Sequence, residues 1–162
     1  MSQHNPFEIR QSSIDTGYQT FASWMAGSEP WLTLDMDQQK CLKAFEGPGK
    51  EIHIIEREGS AAGFVILQTI GSFKGYIQTL FIHPDFQGLG LGTAMLEYCE
   101  KRIAAISPNI FICVSDFNTG AIKLYESFGF KKVGVLENFI KDGYAELLYR
   151  KSTGPLNTFI AS

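Results

Sequence analysis

Between Gly75 and Ile106 the spacing of apolar residues changes, and it changes across one short run, Gln87-Gly88-Leu89-Gly90-Leu91-Gly92. Ahead of the run, Gly75 to His83 is rich in the β-branched and aromatic residues of a strand. Behind it, Leu91, Met95, Cys99, Ile103 and Ile106 recur at helical spacing and stop before Ser107-Pro108. A strand that feeds a helix through three glycines leaves several backbone N–H groups free at the positive end of a helix dipole. Without a Cβ in the way, that backbone can approach a phosphate closely, and Thr93 adds a hydroxyl in the first turn. The run reads as an anion site. A P-loop would need a lysine where Thr93 follows the last glycine. A dinucleotide fingerprint would need G-x-G-x-x-G, one position longer than Gly88, Gly90, Gly92, and would sit in a βαβ unit rather than after a meander. A tight strand-to-helix turn with no ligand uses the same residues.

The rest of the chain places this run in a mixed α/β order. Phe7 to Arg10 reads as a strand, and Ile14, Tyr18, Phe21 and Met25 as the stripe of a first helix ended by Gly27. Asp37 caps a second short helix that stops at Gly47-Pro48-Gly49. Glu51 to Glu58, Ala62 to Ile70 and Gly75 to His83 form three strands joined by tight turns. After the long helix come a strand at Ile110 to Val114, a helix from Asn118 to Phe128 with Gly129 at its end, and a strand pair at Lys131 to Leu136 and Tyr144 to Arg150. One domain over 1–151 with a C-terminal tail at 152–162 is the expected organisation.

Composition narrows the partners. A net charge of −3 with dispersed lysine and arginine offers no basic stripe for nucleic acid. Met1 to Pro6 is polar and lacks the order of a signal peptide, and the apolar stretch Ala61 to Leu67 is too short to span a bilayer. The expectation is a cytoplasmic protein with no membrane partner. Cys41, Cys99 and Cys113 sit in apolar runs without C-x-x-C spacing, and His4, His53 and His83 are scattered, so neither a disulfide framework nor a metal site is expected.

Gln87-x-x-Gly90-x-Gly92 after Leu80-Phe81-Ile82-His83-Pro84-Asp85 resembles the coenzyme A signature of the GCN5-related N-acetyltransferases. Asn118 to Phe130 resembles that family's next motif, and Lys141-Asp142-Gly143-Tyr144 with the strand after it is similar to its end. The wording is closest to the ribosomal-protein N-terminal acetyltransferases. The resemblance implies the fold of that family, a twisted and mostly antiparallel sheet of about six to seven strands flanked by about four helices. Its central strands, here Gly75 to His83 and Ile110 to Ser115, splay to hold acetyl-CoA. It further implies that Leu80, Phe81 and Ile82 meet the pantetheine arm through their backbone, that Gln87 to Thr93 hold the pyrophosphate, and that Asn118 and Tyr125 face the coenzyme from the other side.

Transfer of an acetyl group from a thioester to an amine needs a neutral amine, a stabilised oxyanion and a proton for the departing thiolate. Tyr125, seven residues and about two turns after Asn118, is the candidate general acid; read without the motif, it is a core aromatic beside Ala121, Ile122 and Phe128. Asn118 also reads as a helix N-cap. The resemblance places a glutamate base where this chain has Cys113, so the base is open. Tyr76 and Gln78 share a strand face and suggest a water-mediated base region. Asp116, Glu29 and Glu137 read as loop carboxylates. Glu29, Trp31, Phe139 and Tyr144 are expected to shape a pocket for the amine. The expected reaction is direct acetyl transfer to a primary amine, whether a small molecule, a protein N-terminus or a lysine. A coenzyme-binding sensor without turnover and a partner-binding module on the same fold are the alternatives, and oligomeric state is not legible.

Overall fold

Alternation along one strand sets up a core with two sides. In the computed structural model, which describes residues 6–13 and 17–161, the strand β3 (Ser60–Gln68) turns Phe64 and Ile66 to one face of a sheet and Val65 and Leu67 to the other. Each of these side chains is fully buried, and burial of one such group stabilises by about 1.5–3 kcal/mol. On the first face lie α1 (Tyr18–Ala26) and α2 (Gln38–Lys43), with Phe21, Met25, Cys41 and Phe45 packed on Phe64. On the second lie α3 (Leu91–Ala104) and α4 (Thr119–Phe128), with Leu91, Met95, Cys99 and Ile103 against Val65 and Ile77. The polar start Met1 to Asn5, with His4, and the helical position assigned to Ile14 lie outside the described residues.

The other strands are β1 (Phe7–Gln11), β2 (Lys50–Arg57), β4 (Tyr76–Ile82), β5 (Asn109–Ser115), β6 (Lys131–Glu137) and β7 (Ala145–Ser152). They form one seven-stranded sheet in the order β1-β2-β3-β4-β5-β7-β6. Only the β4–β5 pair is parallel, and its register covers just Tyr76↔Phe111 and Ile77↔Ile112. Gly75 makes this contact possible: a Cβ there would strike the carbonyl of Asn109, and its φ of 92° is one that glycine adopts readily. Beyond Ile77 the strands part. Thr79 to Ile82 stay paired with β3, and Cys113 to Ser115 with β7. The parted strands leave a cleft at the middle of the sheet.

Local chemistry explains the element ends. Asp37 accepts the Lys40 N–H at 2.8 Å and starts α2. The long helix α3 ends at Ala104, short of the stripe that ran to Ile106, because the N–H groups of Ile106 and Ser107 both turn back to the Ile103 carbonyl. β3 stops at Gln68, so Ile70 leaves the sheet and is half exposed. Past β7, Thr153 donates to the Pro108 carbonyl and Phe159 lies in a shallow groove with Pro108 and Ile110.

A polar cluster ties β2 to α3. His53, 1% exposed, bonds Tyr98 Oη through Nδ1 at 2.7 Å and Glu51 through Nε2 at 3.0 Å. Arg102 donates to both oxygens of Glu51. Burial pushes the His53 imidazole below its usual value; Glu51 opposes that shift and Arg102 adds to it.

Candidate active site

Two cavities open where β4 and β5 part, and they share a wall. The first, about 210 Å³, lies over the cleft and is bordered by Tyr76, Gln78, Cys113, Ser115 and Glu146 on the sheet side. The second, about 410 Å³, runs along the ends of β4 and α4 past Leu80, Phe81, Ile82, Gln87 and Leu124. Pro30, Trp31, Leu80, Asn118 and Tyr125 line both. The two cavities meet at this shared wall, the bend, to which Asn118 and Tyr125 belong.

Gln87, the first residue of the glycine run, borders the second, outer cavity. Gly88 and Gly90 both have φ of 78°, and the place where a Cβ would sit at either is open. No side chain caps the start of α3, so its first N–H groups face outward at the helix's positive end. Gln87 closes the loop by donating its Nε2 to the Ile82 carbonyl at 3.2 Å. Gly92 serves the packing instead, since a Cβ there would press within 3.3 Å of Leu124 and its absence lets α3 and α4 approach. Leu91 is buried as an anchor, while Leu89 is half exposed and Thr93 exposed on the loop side.

α4 carries the two residues at the bend. The Asn118 side chain accepts the Ala121 N–H at 3.3 Å and caps the helix, while also bordering both cavities. Tyr125, 7% exposed, packs edge-on to Phe130. Burial, helped by the charge of Glu146, pushes its hydroxyl well above the usual range and keeps it protonated.

On the floor of the cleft, Tyr76 and Cys113 lie side by side, and burial, with Cys113 as a neighbour, raises the Tyr76 pKa above that of a free phenol. Gln78 donates Nε2 to the Ala44 carbonyl at 3.1 Å and accepts from Lys50 through Oε1. Both ends of its amide are therefore occupied. Cys113 borders the cleft with a thiol pushed up by burial and by Glu146, against the influence of the neighbouring Tyr76 hydroxyl.

Of the residues expected around the amine, Trp31 and Phe139 border the cleft, together with Met25, Leu34, Met36 and Ile140. Glu29 borders the outer cavity instead, exposed, with its carboxylate accepting the Thr33 N–H at 3.3 Å. Tyr144 borders neither; it packs edge-on to Phe117 and under the Lys141 ammonium.

Sequence reasoning missed one group, Glu146. It pairs in register with Ser115 across β5 and β7, is 8% exposed, and accepts the Ser115 hydroxyl at 3.3 Å through Oε1. Its Oε2 is buried without a partner among the described residues. Burial first and Asp116 second push this carboxyl upward, against the bond from Ser115. The signal that could have found it was a carboxylate standing inside the apolar run Tyr144-Ala145-Glu146-Leu147-Leu148-Tyr149. No three histidine, cysteine or carboxylate side chains gather into a metal-binding group among the described residues.

Residues 15–130 match a model of the Acetyltransferase (GNAT) family. An N-alpha-acetyltransferase of Sulfurisphaera tokodaii is 26% identical over 115 residues, 63% of this chain and 67% of that protein. The [Ribosomal protein bS18]-alanine N-acetyltransferase of Escherichia coli is 33% identical over 89 residues, 52% of this chain and 57% of that one. The matched stretch thus spans between somewhat over half and two-thirds of these relatives' lengths. The solved structure of the ribosomal-protein-S18-alanine N-acetyltransferase from Escherichia coli superposes with a TM-score of 0.67 at 20% identity, covering 94% of this chain and all of that one. A GNAT family acetyltransferase from Elizabethkingia anophelis with acetyl-CoA bound superposes with a TM-score of 0.70 at 16% identity, covering 91% and 99%.

Proposed function

The chain belongs to the GNAT family of acetyltransferases, and from that premise we propose that it moves an acetyl group from acetyl-CoA to a primary amine by direct attack in a ternary complex. The observation that carries this reading is the shared wall at which Tyr125 stands between an inner cleft and an outer cavity that reaches Gln87 at the start of the glycine run. Uncapped N–H groups at Gly88 to Gly92, in a loop with open space over two glycines, suit a pyrophosphate. The backbone of Leu80, Phe81 and Ile82, freed from β5 by the parting of the strands, suits an amide-bearing arm, with Asn118 opposite. Acetyl-CoA, when bound, supplies an activated thioester, so no covalent intermediate on the protein is required.

Tyr125 holds a proton at the bend and is the general acid for the departing sulfur. A thiol titrates near ~8.5 and a phenol near ~10, and burial raises Tyr125 further, so the transfer is uphill and depends on a hydroxyl already in place beside the departing sulfur. Tyr76 and Gln78 shape the floor of the cleft, and Trp31 and Phe139 its mouth. The acceptor is an amine. The alanine named for the relative from Escherichia coli makes a protein N-terminus one member of that class, beside lysines and small amines. The cytoplasm is the compartment that fits three free cysteines, and no helix of the described residues is long and apolar enough to cross a membrane.

Thermal unfolding with acetyl-CoA, ATP and NAD, followed by thiol release with peptides, lysine, polyamines and small amines, tests the reading. Acetyl-CoA at a hundred times its Kd raises stability by about 2.7 kcal/mol if it binds only the folded chain. Equal stabilisation by NAD would count against the loop assignment. Stabilisation by acetyl-CoA with no thiol release from any amine would instead mark a coenzyme-binding sensor.

A further inference from the structure

We propose that Glu146 is the group that receives the acceptor: its carboxylate holds the incoming ammonium in the cleft and takes its proton, and the acceptor is accordingly a primary amine with one positive charge on an apolar substituent. This rests on the acetyl-transfer reading and extends it to the base and the acceptor class.

The geometry comes first. Glu146 borders the inner cleft, is 8% exposed, and leaves Oε2 buried without a partner among the described residues while Oε1 is held by Ser115. A buried carboxylate oxygen with no donor is costly to maintain, so a site built around one is complementary to a donor that arrives from outside. The groups that face it are Tyr76 from β4, Cys113, Ser115 and Asp116 from β5 and its end, and Tyr125 from α4. None carries positive charge, and the nearby Lys50 ammonium is already held by Gln78 and the Ala44 carbonyl, which border the cleft, so the surroundings of Glu146 favour a cation. The same burial and the same neighbour Asp116 raise the carboxyl toward the range where a base works at neutral pH.

The other groups bordering the cleft are poorly suited. Burial holds the Tyr76 phenol protonated, the Cys113 thiol is pushed upward, and both ends of the Gln78 amide are bonded. The remaining walls are mostly apolar, from Met25, Trp31, Leu34, Met36, Phe139 and Ile140, with the neutral Thr79, Ser115 and Asn118 beside them, and Glu146 is the one charged residue bordering the cleft among those described. One carboxylate matches one ammonium. A second ammonium on the same acceptor would enter apolar walls with no partner.

In the reaction the ammonium gives one proton to Glu146, and the freed lone pair forms the N–C bond to the acetyl carbon. The C–S bond breaks with its electron pair on sulfur, which takes the Tyr125 proton. Tyr125 regains a proton from the acetylated nitrogen, and Glu146 releases its own to solvent.

The test compares wild type, Glu146→Gln and Glu146→Asp with 2-phenylethylamine, leucinamide and spermidine as probes. Wild type is expected to acetylate 2-phenylethylamine and leucinamide at least tenfold more efficiently than spermidine. Glu146→Gln is expected to lose about a hundredfold or more in kcat/KM for these two and to lose the acid limb of the pH profile. Its stabilisation by acetyl-CoA should match wild type, which also shows that it folds, and Glu146→Asp should regain part of the activity. Wild-type kcat/KM and an unchanged pH profile in a folded Glu146→Gln would overturn the assignment of the base. A preference for spermidine, or stabilisation by acetyl-CoA without acetylation of any probe, would overturn the acceptor class. Failure of acetyl-CoA to stabilise the wild type would sink the acetyl-transfer reading instead. In that case calorimetric binding of 2-phenylethylammonium, lost in Glu146→Gln if the proposal holds and kept if it fails, still decides the role of Glu146.

Discussion

Tyr76 of β4 and Cys113 of β5 face the same cleft at the place where the two strands begin to part. Cys113 lies one position past the last register pair, Ile77↔Ile112, and is the one cysteine on the sheet side of the cleft. Burial dominates that thiol and raises it, so it stays protonated and unreactive at neutral pH. Cys113→Ala should keep most activity, lose about 1 kcal/mol of stability from the small cavity, and leave sequential kinetics unchanged. An acetylated Cys113 trapped by mass spectrometry, and shown to pass its acetyl group to an amine, would contradict this.

Tyr125 lies at the bend shared by the two cavities and is nearly buried. Replacing only its hydroxyl keeps the ring packed on Phe130. Tyr125→Phe should therefore lower kcat by about a hundredfold or more while the Kd for acetyl-CoA stays within a few-fold. Turnover within about twofold of wild type, measured by thiol release, would reduce Tyr125 to a packing role.

At Gly90 the backbone sits at φ 78°, with open space where a Cβ would be. A β-branched residue there would strain the backbone before it ever met a ligand, so Gly90→Val confounds folding with binding. Asparagine tolerates this conformation better. Gly90→Asn should keep a cooperative unfolding transition within about 1 kcal/mol of wild type and lose the stabilisation by acetyl-CoA, because its side chain occupies the approach to the free N–H groups. A wild-type shift in Tm with acetyl-CoA would show that the loop does not hold the coenzyme.

His53 is buried between Glu51 on its own strand and Tyr98 and Arg102 on α3, and it lies outside both cavities. Its folded pKa is below the unfolded value of about 6.5, so between the two values the unfolded chain binds more protons. Its contribution to stability is complete above pH ~6.5 and falls away as the pH drops toward the folded value. Glu51, also lowered in the folded state, acts only below the ordinary carboxylate range. Urea unfolding at pH 7.5 and 5.5 should show a loss of stability on acidification that His53→Gln reduces, with kcat at pH 7.5 unchanged. An equal pH dependence in the variant would remove His53 as the cause.

Much of the fold was legible because its signals are local. The glycine run, the stripe from Leu91 to Ile103, the Asp37 and Asn118 caps and the alternation of β3 each depend on residues within a turn or two of one another. The misjudged ends were places where backbone bonds decided, as at Ile106, whose N–H tightens onto Ile103 instead of continuing the helix.

Amino-acid order by itself determined the α/β sequence of elements, the glycine-rich strand-to-helix turn at Gln87 to Gly92, and the placement of Asn118 and Tyr125 two turns apart on one helix. Which groups meet in the cleft was decided only by the tertiary structure. β7 inserts beside β5 and leaves β6 at the edge, and that order brings Glu146 opposite Ser115, thirty-one positions away in the chain. The β4–β5 register ends after Ile77, which opens the cleft, and the loop before α2 brings Trp31 to it while Tyr144 turns away onto Phe117. A side chain's period tells which face of its own strand it occupies. Its neighbour across the sheet depends on strand order and register, which the packing of two helical layers settles for the whole chain at once.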